Sequence, residues 1–175
     1  MKKRFIIFFL CLSIGCVLFL GFFENQQNYK EEYLRIHIRA NSNSEIDQSI
    51  KYKIKDEIIG FLTPVISCCN SKKEFEKVLK ENLKNIECIA NNILAQNNFD
   101  YISHAKINNE YFPIRSYDNL TLENGYYDAL IVNLGSGKGD NWWCVVYPPL
   151  CFLSSNQNYI YKSRIAEIIK NFFGG

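Results

Sequence analysis

The chain has 175 residues, 47% of them hydrophobic, and a formal net charge of +2. That length suits one domain with a short appendage and allows a real core, and the hydrophobic content excludes a disordered chain. The near-neutral charge gives no reason to expect a nucleic-acid partner.

The N-terminus carries the clearest physical signal. Lys2, Lys3 and Arg4 precede an apolar run from Phe5 to Phe23 in which Ser13 alone is plainly polar. A secretory apolar core takes about 7–15 residues and a membrane-spanning helix about 17–25, so residues 1–23 read as a transmembrane anchor, with a cleaved signal peptide as the second reading. The basic flank stays cytoplasmic, which places everything after Phe23 outside. A small-residue cleavage site is not evident, since the first alanine is Ala40, and Ser13-Ile14-Gly15-Cys16 is a poor match to a lipoprotein site. Residues 24–32, opening Glu24-Asn25-Gln26-Gln27-Asn28, read as a polar linker, and residues 33–175 as the exported domain.

Leu34, Ile36, Ile38 and Ala40 alternate with Arg35, His37 and Arg39, the pattern of a half-buried strand. A polar turn follows at Asn41-Ser42-Asn43-Ser44, where Asn43 or Ser44 caps the next helix. Ile46, Ile50, Ile54, Ile58, Phe61 and Leu62 recur at helical spacing, and Pro64 is expected to help end that helix. Ser71-x-x-Glu74 is a capping box. It opens a second helix whose buried stripe is Phe75, Val78, Leu79, Ile86, Ile89, Ala90, Ile93 and Leu94, closed by Asn97 and Asn98.

From Asp100 the pattern turns to strands. Tyr101 to Ile107 is expected to turn at Asn108-Asn109 into Tyr111 to Ile114, an edge strand because of Pro113. Asn124-Gly125 marks a further turn, and Tyr127 to Leu134 and Trp142 to Tyr147 are strands. Ser154 to Tyr159 reads as loop. Ile165, Ile168, Ile169 and Phe172 then form a terminal amphipathic helix. The expected fold is α+β: a mostly antiparallel sheet with two amphipathic helices on one face, plus the N-terminal segment.

Seven cysteines are present. Cys11 and Cys16 lie in the apolar run; Cys68, Cys69, Cys88, Cys144 and Cys151 lie beyond it. An exported chain meets an oxidising compartment, and the odd number leaves at least one thiol free or paired with another chain. Cys144 and Cys151 are candidates for a disulfide closing a short loop around Pro148-Pro149. No C-x-x-C pair exists, and His37 and His104 are the two imidazoles, so neither a metal site nor a cofactor is expected.

Gly135-Ser136-Gly137-Lys138-Gly139 invites a phosphate-loop reading, but its glycines are too closely spaced, Lys138 lacks a following Ser or Thr, and the next element is a strand. A flexible hairpin loop rich in positive-φ positions is the plainer account, and glycines there equally let a partner approach. Cys144 as a nucleophile would need a base within reach, and only His37 and His104 offer imidazole. Trp142, Trp143, Tyr147 and Phe152 form an aromatic cluster. Adjacent Trp142 and Trp143 point to opposite faces of a strand, which makes one of them a candidate binding anchor. Asp47, Asp56, Glu57 and Glu81 read as solvated helix-face carboxylates.

Two stretches carry a resemblance. Arg35-Ile36-His37-Ile38-Arg39-Ala40-Asn41-Ser42-Asn43-Ser44, followed by Asp47-Gln48 and Lys51, resembles the opening strand and turn of the stage II sporulation protein R family. Asn141-Trp142-Trp143-Cys144-Val145-Val146-Tyr147-Pro148-Pro149-Leu150-Cys151 is similar to its most specific run. Gly125 to Leu130 and Tyr161 to Glu167 match further family segments. Asn43 and Asp140 depart from the residues the family often carries there, and the longer charged tail of some members is missing.

The resemblance implies a signalling protein rather than an enzyme. It would be made in the forespore, exported into the space between the septal membranes, and there activate a membrane-embedded aspartic protease. That protease removes the pro-sequence of the early mother-cell sigma factor. Trp142, Trp143, Pro148, Pro149, Asn141 and the loop residues Gly135, Gly137 and Lys138 are the expected contact residues, with Asn41 and Ser42 nearby. The rival reading is an exported thiol enzyme using Cys144.

Overall fold

The computed structural model describes residues 2–117, 120–152 and 159–174, and the chain divides into two compact units, Met1–Glu32 and Tyr33–Gly175. The first unit is one helix, α1 (Lys2–Glu31), which continues through the residues that read as a linker. Among the described residues, no helix is long and apolar enough to cross a membrane.

In the second unit, β1 (Leu34–Arg39) is an inner strand of a four-stranded sheet of order β2-β5-β1-β6. The other members are β2 (Ser103–Phe112), β5 (Gly125–Leu134) and β6 (Asn141–Tyr147). β1 runs parallel to β5, from Leu34↔Asp128 to Arg39↔Asn133, and antiparallel to β6. β2 pairs antiparallel with β5 along its whole length, from Ser103↔Leu134 to Phe112↔Gly125. A parallel pair needs a long crossover, and here the crossover carries the two central helices.

α2 (Glu45–Ser67) begins where the Ser44 side chain accepts from the Asp47 N–H. Its apolar spacing buries Ile50, Ile54, Ile58, Leu62 and Ile66. Ile46, expected on that stripe, sits in the first turn and is exposed, while Asp47 and Lys51 are buried in its stead. Pro64 lies inside the helix rather than ending it. Proline removes one N–H, and side chains cap the carbonyls around it: Thr63 Oγ1 donates to the Ile59 carbonyl at 2.7 Å and Ser67 Oγ to that of Pro64 at 2.7 Å.

α3 (Lys72–Gln96) is capped by Ser71, which accepts from the Glu74 N–H. The Glu74 carboxylate accepts from the N–H of Asn70 at 2.8 Å, one residue further back than an ideal capping box. Ile165 and Ile168 of α4 (Tyr159–Phe173) join the same core. Arg164 ties α4 down by donating to Asn70 Oδ1 at 2.7 Å. Three helices, one more than expected, therefore pack with Leu34, Ile36, Ile38, Leu130, Val132 and Val146.

The opposite face holds a second apolar cluster: Tyr33, Phe112, Leu122, Tyr127, Ala129, Ile131 and Val145. A two-stranded ribbon, β3 (Arg115–Tyr117) with β4 (Leu120–Leu122), contributes to it. Two expectations are corrected here. Asn108-Asn109 makes no turn: β2 runs straight through, and Asn109 Nδ2 donates to Asp128 Oδ1 of β5 at 3.0 Å. β1 is not half-buried, because both of its faces are covered. Arg35 and His37 are buried along with Ile36 and Ile38. Of the expected loop at Ser154 to Tyr159, residues 154–158 lie outside the described residues, and Tyr159 already belongs to α4.

Candidate partner-binding surface

The Asn41–Ser44 turn and the Gly135–Asp140 loop are knitted together. Asn41 Oδ1 accepts from the Ser136 N–H at 2.9 Å, and the Asn41 carbonyl accepts from Ser136 Oγ at 2.7 Å. Asn43 Oδ1 accepts from the Asp140 N–H at 2.5 Å, and the Ala40 carbonyl from the Gly139 N–H at 2.8 Å. The loop's glycines meet real geometric demands. Gly135 and Gly137 have φ of +54° and +62°, where side chains are strained. A Cβ on Gly139 would run into the Ser42 backbone. The loop is therefore fastened, not a flexible hairpin.

Asp47 is the hub of this knot. It accepts from Ser42 Oγ at 2.5 Å, Tyr101 OH at 2.5 Å and Asn41 Nδ2 at 3.1 Å. Burial works against its charge, but these hydrogen bonds win and hold the carboxyl below its usual range. Burial, reinforced by Asp47, pushes the Tyr101 hydroxyl up. Lys51 donates to the Asp140 carbonyl at 3.0 Å and to Gln48 Oε1 at 2.6 Å. Burial lowers its pKa, and Asp140 opposes the shift. Asp47 is thus a buried structural carboxylate, not the solvated one expected, and Asn41 and Ser42 spend their side chains on internal bonds. Lys138 of the same loop is exposed.

β6 divides the aromatic residues between two faces. Trp142 packs against the helix-side core, with Lys55 Nζ 5.6 Å from its ring centroid. Trp143 lies on the outer face, its ring centroid 4.1 Å from the Arg115 guanidinium and 5.4 Å from His37. Both indoles are half-buried. Cys144 is bonded to Cys151, with Cα atoms 5.9 Å apart. Pro148 and Pro149, expected as contact residues, are buried. The Leu150 N–H donates to the Pro148 carbonyl at 2.8 Å, so the prolines shape the turn behind β6. Cys144 is registered opposite Ile36 and Trp143 opposite His37. The sulfur of Cys144 and the imidazole of His37 therefore face opposite sides of the sheet, which rules out a dyad between them.

The outer face also gathers, around His37, the side chains of Arg35, Arg39 and Glu110, which sequence reasoning did not single out as site residues. Arg35 has no exposed surface and donates to Tyr117 OH at 2.8 Å. Its guanidinium carbon sits 4.1, 4.9 and 5.8 Å from the ring centroids of Phe112, Tyr127 and Tyr117. Arg39 bonds Glu110 Oε2 at 2.6 Å, reaching across β5 to do so. The same carboxylate oxygen lies 3.5 Å from His37 Nδ1. Neither it nor the adjacent Asn141 meets the imidazole in hydrogen-bond geometry. Burial, helped by Arg39, pushes His37 down to about 4. The signal in the sequence was the alternation Arg35, His37, Arg39, which reads as a solvent face until both flanking strands are in place. Among the described residues, no cluster of His, Cys, Asp or Glu is arranged to hold a metal ion.

The pattern for stage II sporulation protein R matches residues 30–157, which takes in β1 to β6, α2 and α3. The chain belongs to the stage II sporulation protein R family. It is similar to the protein of that name from Bacillus subtilis (strain 168), at 32% identity over 174 residues, covering 94% of this chain and 77% of the relative. No solved structure matches it.

Proposed function

We propose that this chain is an exported signalling protein of endospore formation. Its α+β unit acts as a ligand outside the forespore membrane and activates the membrane-embedded aspartic protease that processes the early mother-cell sigma factor precursor. The observation that carries this reading is membership of the stage II sporulation protein R family over most of the chain. Two physical features support export. α1 opens on basic residues and exposes Phe5, Phe9, Leu12, Ile14, Val17 and Phe19, so its apolar surface is not confined to one stripe. Such a helix wants a lipid or protein cover on all sides. The Cys144–Cys151 bond suits an oxidising compartment.

A ligand works by binding the active state of its receptor better than the resting state. It needs a rigid surface, which the fastened loop and the bridged turn after β6 supply. The thiol-enzyme alternative has lost its geometry, with Cys144 bonded and His37 on the far side of the sheet. The test is an immunoblot of the sigma precursor in a sporulating deletion strain carrying wild type or Cys144→Ser. The precursor is expected to accumulate in the deletion and be processed with both genes. Processing that never depends on the gene refutes the ligand reading. Rescue by wild type with none by a Cys144→Ser protein present at normal level revives the thiol enzyme.

A further inference from the structure

Among the described residues, the buried side-chain atoms without a hydrogen-bond partner are Nε and Nη1 of Arg35, both ring nitrogens of His37, and Oδ1 of Asn141. The five come from the neighbouring strands β1 and β6. Arg35 is a cation with no exposed surface whose neighbours are the three rings of Phe112, Tyr117 and Tyr127, with the Tyr117 hydroxyl accepting one hydrogen bond. Cation–π contact offsets part of its lost hydration, but two of its nitrogens, Nε and Nη1, remain unmet. The nearby carboxylate, Glu110, is engaged with Arg39. Arg115 adds a third guanidinium above Trp143. Among the described residues, this patch sets Arg35, Arg39 and Arg115 against Glu110 alone.

A buried, uncompensated charge is poorly screened, so its field emerges at the surface above it. That surface is accessible: Arg115 is exposed, Trp143 and Asn141 are half-buried, and the Arg39 side chain is 28% exposed. We propose that the outer face framed by Arg39, Arg115 and Trp143 docks an acidic peptide segment of a partner protein. Carboxylates there would be held by the two rim guanidinium groups, with Arg35 strengthening the site from below. Planar guanidinium groups beside an indole suit carboxylate and peptide together. A nucleic acid is the less fitting occupant, since the whole chain carries only +2. The inference deepens the ligand reading and rests on it for the partner's identity, but the surface chemistry can be tested by itself.

The experiment titrates the full-length protein in detergent with a short Glu-Ala repeat peptide, its Gln-Ala counterpart and a short single-stranded oligonucleotide, following indole fluorescence. The Glu peptide is expected to bind at least about tenfold more tightly than the Gln peptide, as complementary charge at a rim allows. Arg115→Gln should weaken it about fivefold to tenfold, and Glu110→Gln, which releases Arg39, should tighten it. Arg35 is left intact, because losing it would endanger the fold. Equal binding of the two peptides, indifference to both substitutions, or tighter binding of the oligonucleotide overturns the proposal. A failed titration in a protein whose deletion still blocks sigma processing would sink the acidic-peptide surface and spare the ligand reading. A successful titration with processing independent of the gene would do the reverse.

Discussion

Two buried ionisable side chains, His37 and Asp47, set the acid stability of the second unit in successive pH windows. Burial depresses His37 from 6.5 to about 4, so the folded protein keeps the imidazole neutral where the unfolded chain already takes up a proton. The unfolded state binds more protons in that interval, and stability therefore falls as pH drops from 6.5 towards 4. Asp47 acts below this window. Its folded pKa lies under the unfolded value of 3.8, so its contribution is complete above 3.8 and is lost as pH falls through the folded value. Urea unfolding followed by indole fluorescence, at pH 7.5 and pH 4.5, should show wild type losing up to about 3 kcal/mol, at 1.4 kcal/mol per pKa unit. His37→Gln should flatten that difference. A wild-type protein equally stable at both values would show that His37 is not held neutral by the fold.

At the scale of elements, the loop between β5 and β6 is fastened to the turn after β1 by groups far apart in the chain, and its glycines should not respond alike. Gly137→Ala places a side chain at φ +62° with Asn133 Oδ1 at 3.2 Å, a local strain of about 1 kcal/mol. Gly139→Ala drives a methyl into the Ser42 backbone and must open the Gly139–Ala40 hydrogen bond, which should cost about 3 kcal/mol. Thermal melts of the two variants should rank in that order, and equal losses would mean the loop is not docked on the turn. The elements themselves were largely legible. Period two marked β1, helical spacing and Ser71 marked α3, and Trp142 and Trp143 were expected on opposite faces of β6, where they lie. The knot was not legible, because Asp47 looks solvated on a helix until Tyr101 and Ser42 are folded onto it. Glu110 and Arg39 stand 71 residues apart, and nothing local marks them as partners. Asn108-Asn109 misled for the opposite reason: a strong local turn signal was overridden by ten continuous rungs of pairing with β5.

At the scale of the whole molecule, the function proposed depends on where the second unit is held. Along α1 the side chains of Phe5, Leu12, Ile14, Val17 and Leu18 are exposed, and under the proposed function the basic residues at the start of the helix would stay on the cytoplasmic side. A ligand tethered to one membrane and acting on a receptor in the facing one searches a thin layer instead of a bulk volume, which raises its effective concentration. Two outcomes should follow. The full-length protein should pellet with membranes after alkaline carbonate extraction, and a version with residues 5–23 replaced by a cleavable secretion signal should not. If tethering matters, the released version should still drive sigma processing, but only when made in excess. Normal processing by the released protein at native expression would mean that α1 delivers the ligand without needing to hold it. Complete loss of processing with the released protein folded and exported would mean that α1 takes part in the signal itself.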